Sequence, residues 1–147
     1  AEALASLDKV SLDNEEQWGL SLFQEGWHQG IVGLVAARIR ERVHRPVIAF
    51  AEASEGLLKG SGRSIPGLHI RDALARVNSL NPDLIDKFGG HAMAAGLSLA
   101  KENLQAFSAA FDGVVRSRLA PEQLEPIVYS DGELQAVEFN LEIAELL

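Results

Sequence analysis

Lys59-Gly60-Ser61-Gly62-Arg63-Ser64 brings together two glycines one residue apart, two cations and two hydroxyls. Glycines carry no Cβ and leave backbone N–H groups open to a ligand, while Lys59 and Arg63 add charge-assisted donors and Ser61 and Ser64 neutral ones. That is the donor set a phosphate needs, so these six residues form a candidate anion cradle. Glycines at this spacing also serve bulges and close backbone approach inside a strand, and the motif by itself leaves both uses open.

A second stretch, Gly89-Gly90-His91-Ala92-Met93-Ala94-Ala95-Gly96, sets one histidine among the smallest side chains. Small neighbours let a bound group approach both backbone and imidazole. His91 can then donate to a phosphate oxygen or exchange protons with a bound group. A Gly-Gly turn ahead of a packed strand, with His91 a hydrogen-bonded polar residue, explains the same letters. Trp27-His28-Gln29-Gly30 precedes a helix, where N–H groups and the dipole favour anions, but a tryptophan there is first of all packing material. The histidines stand at 28, 44, 69 and 91, none in an i, i+4 pair and none beside an aspartate, so no metal site is legible. The absence of cysteine excludes disulfides, thiolate metal sites and cysteine nucleophiles.

These residues need a scaffold. Trp18 to Phe23 alternates apolar and polar side chains and predicts a strand. Ile31, Leu34, Val35, Ile39 and Val43 follow a helical stripe that ends before Pro46, since the residue ahead of a proline disfavours helical geometry. Pro46 to Ala51 reads as a short buried strand, and Leu57 to Ser64 as its neighbour across a turn at Glu55-Gly56. Ile70, Ala73, Leu74, Val77 and Leu80 predict a second helix, and Asn81-Pro82-Asp83 restarts the chain into a shorter helix through Phe88. Ala94 to Ala100 reads as a strand, and Leu104, Phe107, Phe111, Val114 or Val115, and Leu119 mark one face of a last helix. The expected fold class is α/β: a mixed sheet of about five strands flanked by helices, plus a truncated β-rich C-terminal segment.

At 147 residues there is room for one domain of ordinary size. The pattern divides it into a connector at 1–17, a complete domain at 18–119 and the cut-short opening of a second module at 120–147, where seven acids meet no Lys or Arg. Both ends suggest a piece of a longer protein. A net charge of −8 taken whole argues against an anionic partner, but its distribution does not. From Arg38 to Arg76 eight bases face four acids, a local +4 that contains the candidate cradle, and the remaining residues carry −12. Arg38 to Arg45 read as the solvated face of a helix. No apolar run approaches the roughly 18 residues of a membrane span, and the acidic first twenty residues lack a basic leader. No membrane partner is expected, and the cytoplasm is the expected compartment.

Trp27-His28-Gln29-Gly30-Ile31-Val32-Gly33-Leu34-Val35-Ala36, His44-Arg45-Pro46, Gly60-Ser61-Gly62-Arg63-Ser64-Ile65-Pro66-Gly67 and Lys87-Phe88-Gly89-Gly90-His91-Ala92-Met93-Ala94-Ala95-Gly96 occur in that order. Together they resemble the DHH-associated domain of the RecJ family, bacterial 5′-to-3′ exonucleases specific for single-stranded DNA that serve DNA repair and recombination. The resemblance covers residues 18 to about 119. It implies a two-lobed nuclease whose preceding lobe carries an Asp-His-His motif and holds two Mn²⁺ or Mg²⁺ ions, while this domain handles substrate. It implies that 1–17 connects to that lobe and that 120–147 begins an oligonucleotide-binding barrel.

Residue by residue, the resemblance implies that Arg63 and Ser64, with the Gly60 to Gly62 loop, hold a DNA phosphate. His91, with Gly89 and Gly90, would face the scissile phosphate across the groove from the metals. The partners implied are single-stranded DNA and the missing DHH lobe; the fragment itself would need no cofactor and would be inactive alone. Two further functions stay open: an accessory domain of a DHH-type phosphodiesterase acting on oligoribonucleotides or cyclic dinucleotides, and a non-catalytic protein-interaction module using the acidic C-terminal end.

Overall fold

A computed structural model describes residues 17–124. Nearly all of the expected connector, and the β-rich module from residue 125 onward, lie outside the described residues. The elements run β1 (Leu20–Phe23), α1 (Val32–Val43), β2 (Val47–Ser54), β3 (Leu57–Arg63), α2 (Ile70–Leu80), β4 (Lys87–Gly90), β5 (Ala94–Ala100) and α3 (Leu104–Arg118). They build one five-stranded sheet in the order β1-β2-β3-β5-β4. β1 pairs with β2 in parallel across the α1 crossover, and every other pair is antiparallel.

β2 explains the layers. Val47, Ala49 and Ala51 point to one face, where Leu20, Leu22, Val35 and Ile39 cover them; Ile48 and Phe50 point to the other, among Leu58, Leu97, Leu99 and Phe107. A strand covered on both faces reads as an unbroken apolar run rather than an alternation. On the second face Phe50 meets Phe107 edge-to-face at 5.8 Å between centroids, and Phe107 stacks on Phe111 at 5.7 Å. α2 and α3 therefore cover one face of the sheet, and α1 covers part of the other. α1 ends at His44, which takes the left-handed conformation (φ 54°) and donates its N–H to the Arg40 carbonyl. Burial, and then the neighbouring Arg40 and Arg45 cations, lower the His44 pKa from its ordinary value.

One expectation fails. Residues 81–86 form turns, not a short helix, and Lys87–Gly90 is the edge strand β4. Apolar residues at 84, 85 and 88 mimic a helical stripe, but Pro82 and the glycine pair are poor helix formers. Pairing with β5 gives this backbone its hydrogen bonds instead.

The start of β1 is tied to α3 by one carboxylate. Asp112 Oδ1 accepts from the N–H groups of Trp18 (2.6 Å) and Gly19 (3.1 Å), while Oδ2 accepts from Arg116 Nε at 2.9 Å. Asp112→Ala leaves two part-buried N–H groups without their acceptor, at a cost of about 1–3 kcal/mol. Denaturant unfolding should show that loss, with Asp112→Asn losing less because one oxygen acceptor survives.

Candidate nucleic-acid interface

The register of β3, β5 and β4 sorts the candidate residues by face. Gly60 and Gly62 oppose Leu97 and Ala95 and point into the α2/α3 side. A Cβ on Gly60 would lie 2.5 Å from Phe50 Cε1, and one on Gly62 would lie 2.8 Å from Ile70 Cδ1. β3 is flanked on both sides, so its N–H groups enter the ladders to β2 and β5. The free N–H groups expected of a Gly-x-Gly cradle are therefore absent, and these glycines are present for close packing.

The residues between them face outward, in rows that cross the sheet. Lys59 opposes Ser98, which opposes Lys87; Ser61 opposes Gly96, which opposes Gly89; Arg63 opposes Ala94. α1 overlies β1, β2 and the near side of β3, and among the described residues nothing covers this face of β5 and β4. Gly96 and Gly89 sit side by side at its centre. A Cβ on Gly89 would meet nothing within 4 Å, and one on Gly96 would meet only the Gly60 carbonyl oxygen at 3.6 Å. Packing does not require glycine at either position. Glycine in a strand weakens it, and it often marks a bulge, a bend or a place where another group approaches the backbone closely.

Arg63 lies at one end of this face. Its Nη1 donates to Ser61 Oγ at 3.0 Å and to the Gly62 carbonyl at 2.9 Å. Its Nη2 lies 2.7 Å from where a Cβ of Gly33 would be, so α1's first turn rests against the guanidinium only because residue 33 has no side chain. The N-cap of α1, Ile31, offers no side-chain acceptor. Arg63, the Ser61 hydroxyl and an amino-terminal helix end thus converge, an arrangement suited to an anion.

His91 belongs to the same end. It is exposed, in the turn between β4 and β5, and its N–H bonds the carbonyl of Ala94, the residue opposite Arg63. Gly90 has φ 145°, and a Cβ there would lie 2.5 Å from Ala95 Cα, so the turn needs glycine at that position. The carbonyls of Ala92 and Met93 accept from Ile70 and Ser64, fixing the hairpin to the end of β3 and the start of α2.

Ser64 takes a different place from the one its sequence suggests. It is fully buried, and its hydroxyl donates to the Leu68 carbonyl at 2.6 Å. Its own carbonyl accepts from Arg40 Nη1 at 3.1 Å. Ser64 ties β3, the β4–β5 hairpin and α1 together. Lys59 is exposed, four residues from Arg63 and so about 13 Å along the strand, outside the Arg63 cluster. Trp27 is buried against α1's apolar face. Sequence reasoning missed Gly33, Gly96, Lys87 and Arg40. For Gly96 a signal existed, because the outward positions of β5 are Ala94, Gly96 and Ser98, all small, while the inward ones are apolar.

The described residues include no group of three or more His, Cys, Asp or Glu able to hold a metal ion, and no helix long and apolar enough to cross a membrane. The metals that the nuclease resemblance places in the preceding lobe have no fitting set of donors among the described residues.

Comparison with known proteins gives a consistent picture. Residues 16–117 match the DHHA1 domain. The chain is 53% identical over 138 residues to the single-stranded-DNA-specific exonuclease RecJ of Haemophilus influenzae, covering 94% of this chain and 24% of that protein. It is 50% identical over 147 residues to the Escherichia coli protein of the same name, covering 99% of this chain and 26% of that one. The chain thus spans about a quarter of the length of these relatives. Among solved structures, RecJ from Thermus thermophilus in complex with Mn²⁺ matches with a TM-score of 0.67 at 31% identity, over 81% of this chain and 17% of that one. The mixed five-stranded α/β fold matches these neighbours.

Proposed function

Because the chain belongs to the DHHA1 domain family, we propose that it is the substrate-handling domain of a RecJ-type exonuclease, binding single-stranded DNA on the open face of β3, β5 and β4. The observation that carries this is the glycine pair Gly89 and Gly96, free of any packing need, lying between Arg63 and His91 at one end and Lys59 and Lys87 at the other.

Arg63 and Ser61 hold a phosphate beside the α1 amino end. His91 stands next to that phosphate and donates to it. Gly89 and Gly96 let the chain approach the sheet backbone; Gly60, Gly62 and Ser64 set the position of β3 without touching DNA. Hydrolysis, and the Mn²⁺ or Mg²⁺ with which related structures were solved, belong to the remainder of such an enzyme, with the DHH lobe as partner. The 147-residue chain alone binds and does not cut. The setting is cytoplasmic DNA repair and recombination.

Arg63→Ala tests the cradle. Binding of a single-stranded oligonucleotide should weaken about tenfold, and the log–log salt slope should fall by about 0.7 for the lost phosphate contact. Unchanged affinity and unchanged slope would remove Arg63 from the interface. Faster turnover of a dinucleotide than of a long strand by the full-length protein would redirect the reading to a phosphodiesterase of short substrates.

A further inference from the structure

Lys59 and Lys87 are exposed and stand in one cross-strand row with Ser98 between them, about 10 Å apart across two strand spacings. Among the described residues neither has an ion-pair or hydrogen-bond partner. Together with Gly96 and Ser98 they line an open trough of about 330 Å³ in the sheet face. Two unpaired cations facing each other over such a trough, on a chain of net charge −8, repel one another and attract an anion placed between them. Just past this row, over Leu57 and Ala100, the surface opens into a cleft of about 480 Å³ that includes Asp83 and Asp86. Asp86 Oδ2 accepts at 3.1 Å from the hydroxyl of Ser98, the buried residue between the two lysines, so this carboxylate reaches the row itself. The charge therefore changes sign within one row.

We propose that Lys59 and Lys87 form a second phosphate subsite, separate from the Arg63 cradle, which takes the last phosphate held on this face before the acidic cleft turns the strand away. This rests on the reading of the open face as a single-strand surface. The row lies four residues from Arg63, about 13 Å along β3, more than neighbouring phosphates of one strand span. One nucleotide must therefore lie between the two subsites, over Gly89 and Gly96. The face reads a run of three phosphates, and a shorter ligand reaches only one of its ends.

Binding of 5′-phosphorylated oligothymidylates of two and of six nucleotides, by the full-length protein with cleavage blocked by metal omission, tests this. Lys59→Gln and Lys87→Gln should each weaken the six-nucleotide ligand three- to fivefold and leave the two-nucleotide ligand within twofold. Each should also lower the salt slope for the longer ligand by about 0.7, with Lys59→Arg restoring it. Neither side chain is buried or paired, so folding is not at stake. If Arg63→Ala weakens both ligands while the lysine variants change neither, the second subsite is overturned and the wider reading stands. Equal losses for both lengths in the lysine variants also overturn it, since the lysines would then act on the first phosphate. If Arg63→Ala changes neither ligand, it is the wider reading that fails.

Discussion

Gly96→Val is expected to leave the protein folded and to remove most of its affinity for single-stranded DNA. Gly96 lies outside the positive-φ region, and the nearest heavy atom to an added Cβ is the Gly60 carbonyl oxygen at 3.6 Å, an ordinary contact. A branched residue suits a strand better than glycine, so stability should hold or rise by about 0.5 kcal/mol. The valine methyls would stand up from the centre of the trough, where the DNA backbone must pass. Losing that close approach should weaken binding by at least a factor of ten, roughly 1.4 kcal/mol. Thermal unfolding and fluorescence anisotropy with a labelled oligonucleotide measure the two effects separately. A folded variant that binds as tightly as the parent would show that DNA does not cross this face.

Gly60→Val, on the neighbouring strand, should do the reverse. Its Cβ would lie 2.5 and 2.7 Å from two Phe50 ring carbons and 3.0 Å from Ile48 Cγ2. Phe50 is fully buried and held edge-on by Phe107, so the ring has nowhere to move. Overpacking of this kind costs roughly 3 kcal/mol, a large part of the 5–15 kcal/mol that holds a domain together. The midpoint of thermal unfolding should fall on the order of 10 °C. DNA affinity measured well below that midpoint should change little, because the outward rows keep their side chains. Two glycines of adjacent strands thus serve opposite purposes, one making room for the core and the other making room for the ligand.

The face a glycine points to is what sequence could not show. Periodicity and turn residues located four of the five strands, all but β4, and all three helices, because β2's apolar run and the stripes at 70–80 and 104–119 are local patterns. β4 was hidden because Leu84, Ile85 and Phe88 imitate a helix, and only pairing with β5 decides otherwise. In the Lys59 to Ser64 motif the chemistry of each residue was legible but its direction was not. Whether Gly60 or Ser61 faces solvent follows from registry with Phe50, and the fate of the Ser64 hydroxyl follows from a carbonyl at Leu68. Gly33 is thirty residues from Arg63 in sequence, and no local pattern links the two; only the packing of α1 over β3 brings them together. The uneven charge singled out Lys59 and Arg63 but not Lys87, which lies outside the basic stretch in sequence and joins Lys59 only through the pairing of β3, β5 and β4.

The most direct test is a backbone amide NMR titration of the ¹⁵N-labelled 147-residue chain with a short single-stranded oligonucleotide at low salt. Shifts concentrated at Lys59, Ser61, Arg63, Lys87, Gly89, His91 and Gly96, fading as salt is raised and leaving α2 and α3 unmoved, are the expected result. Shifts confined to the α2/α3 side, or none on the open face at saturating DNA, would contradict single-strand binding there.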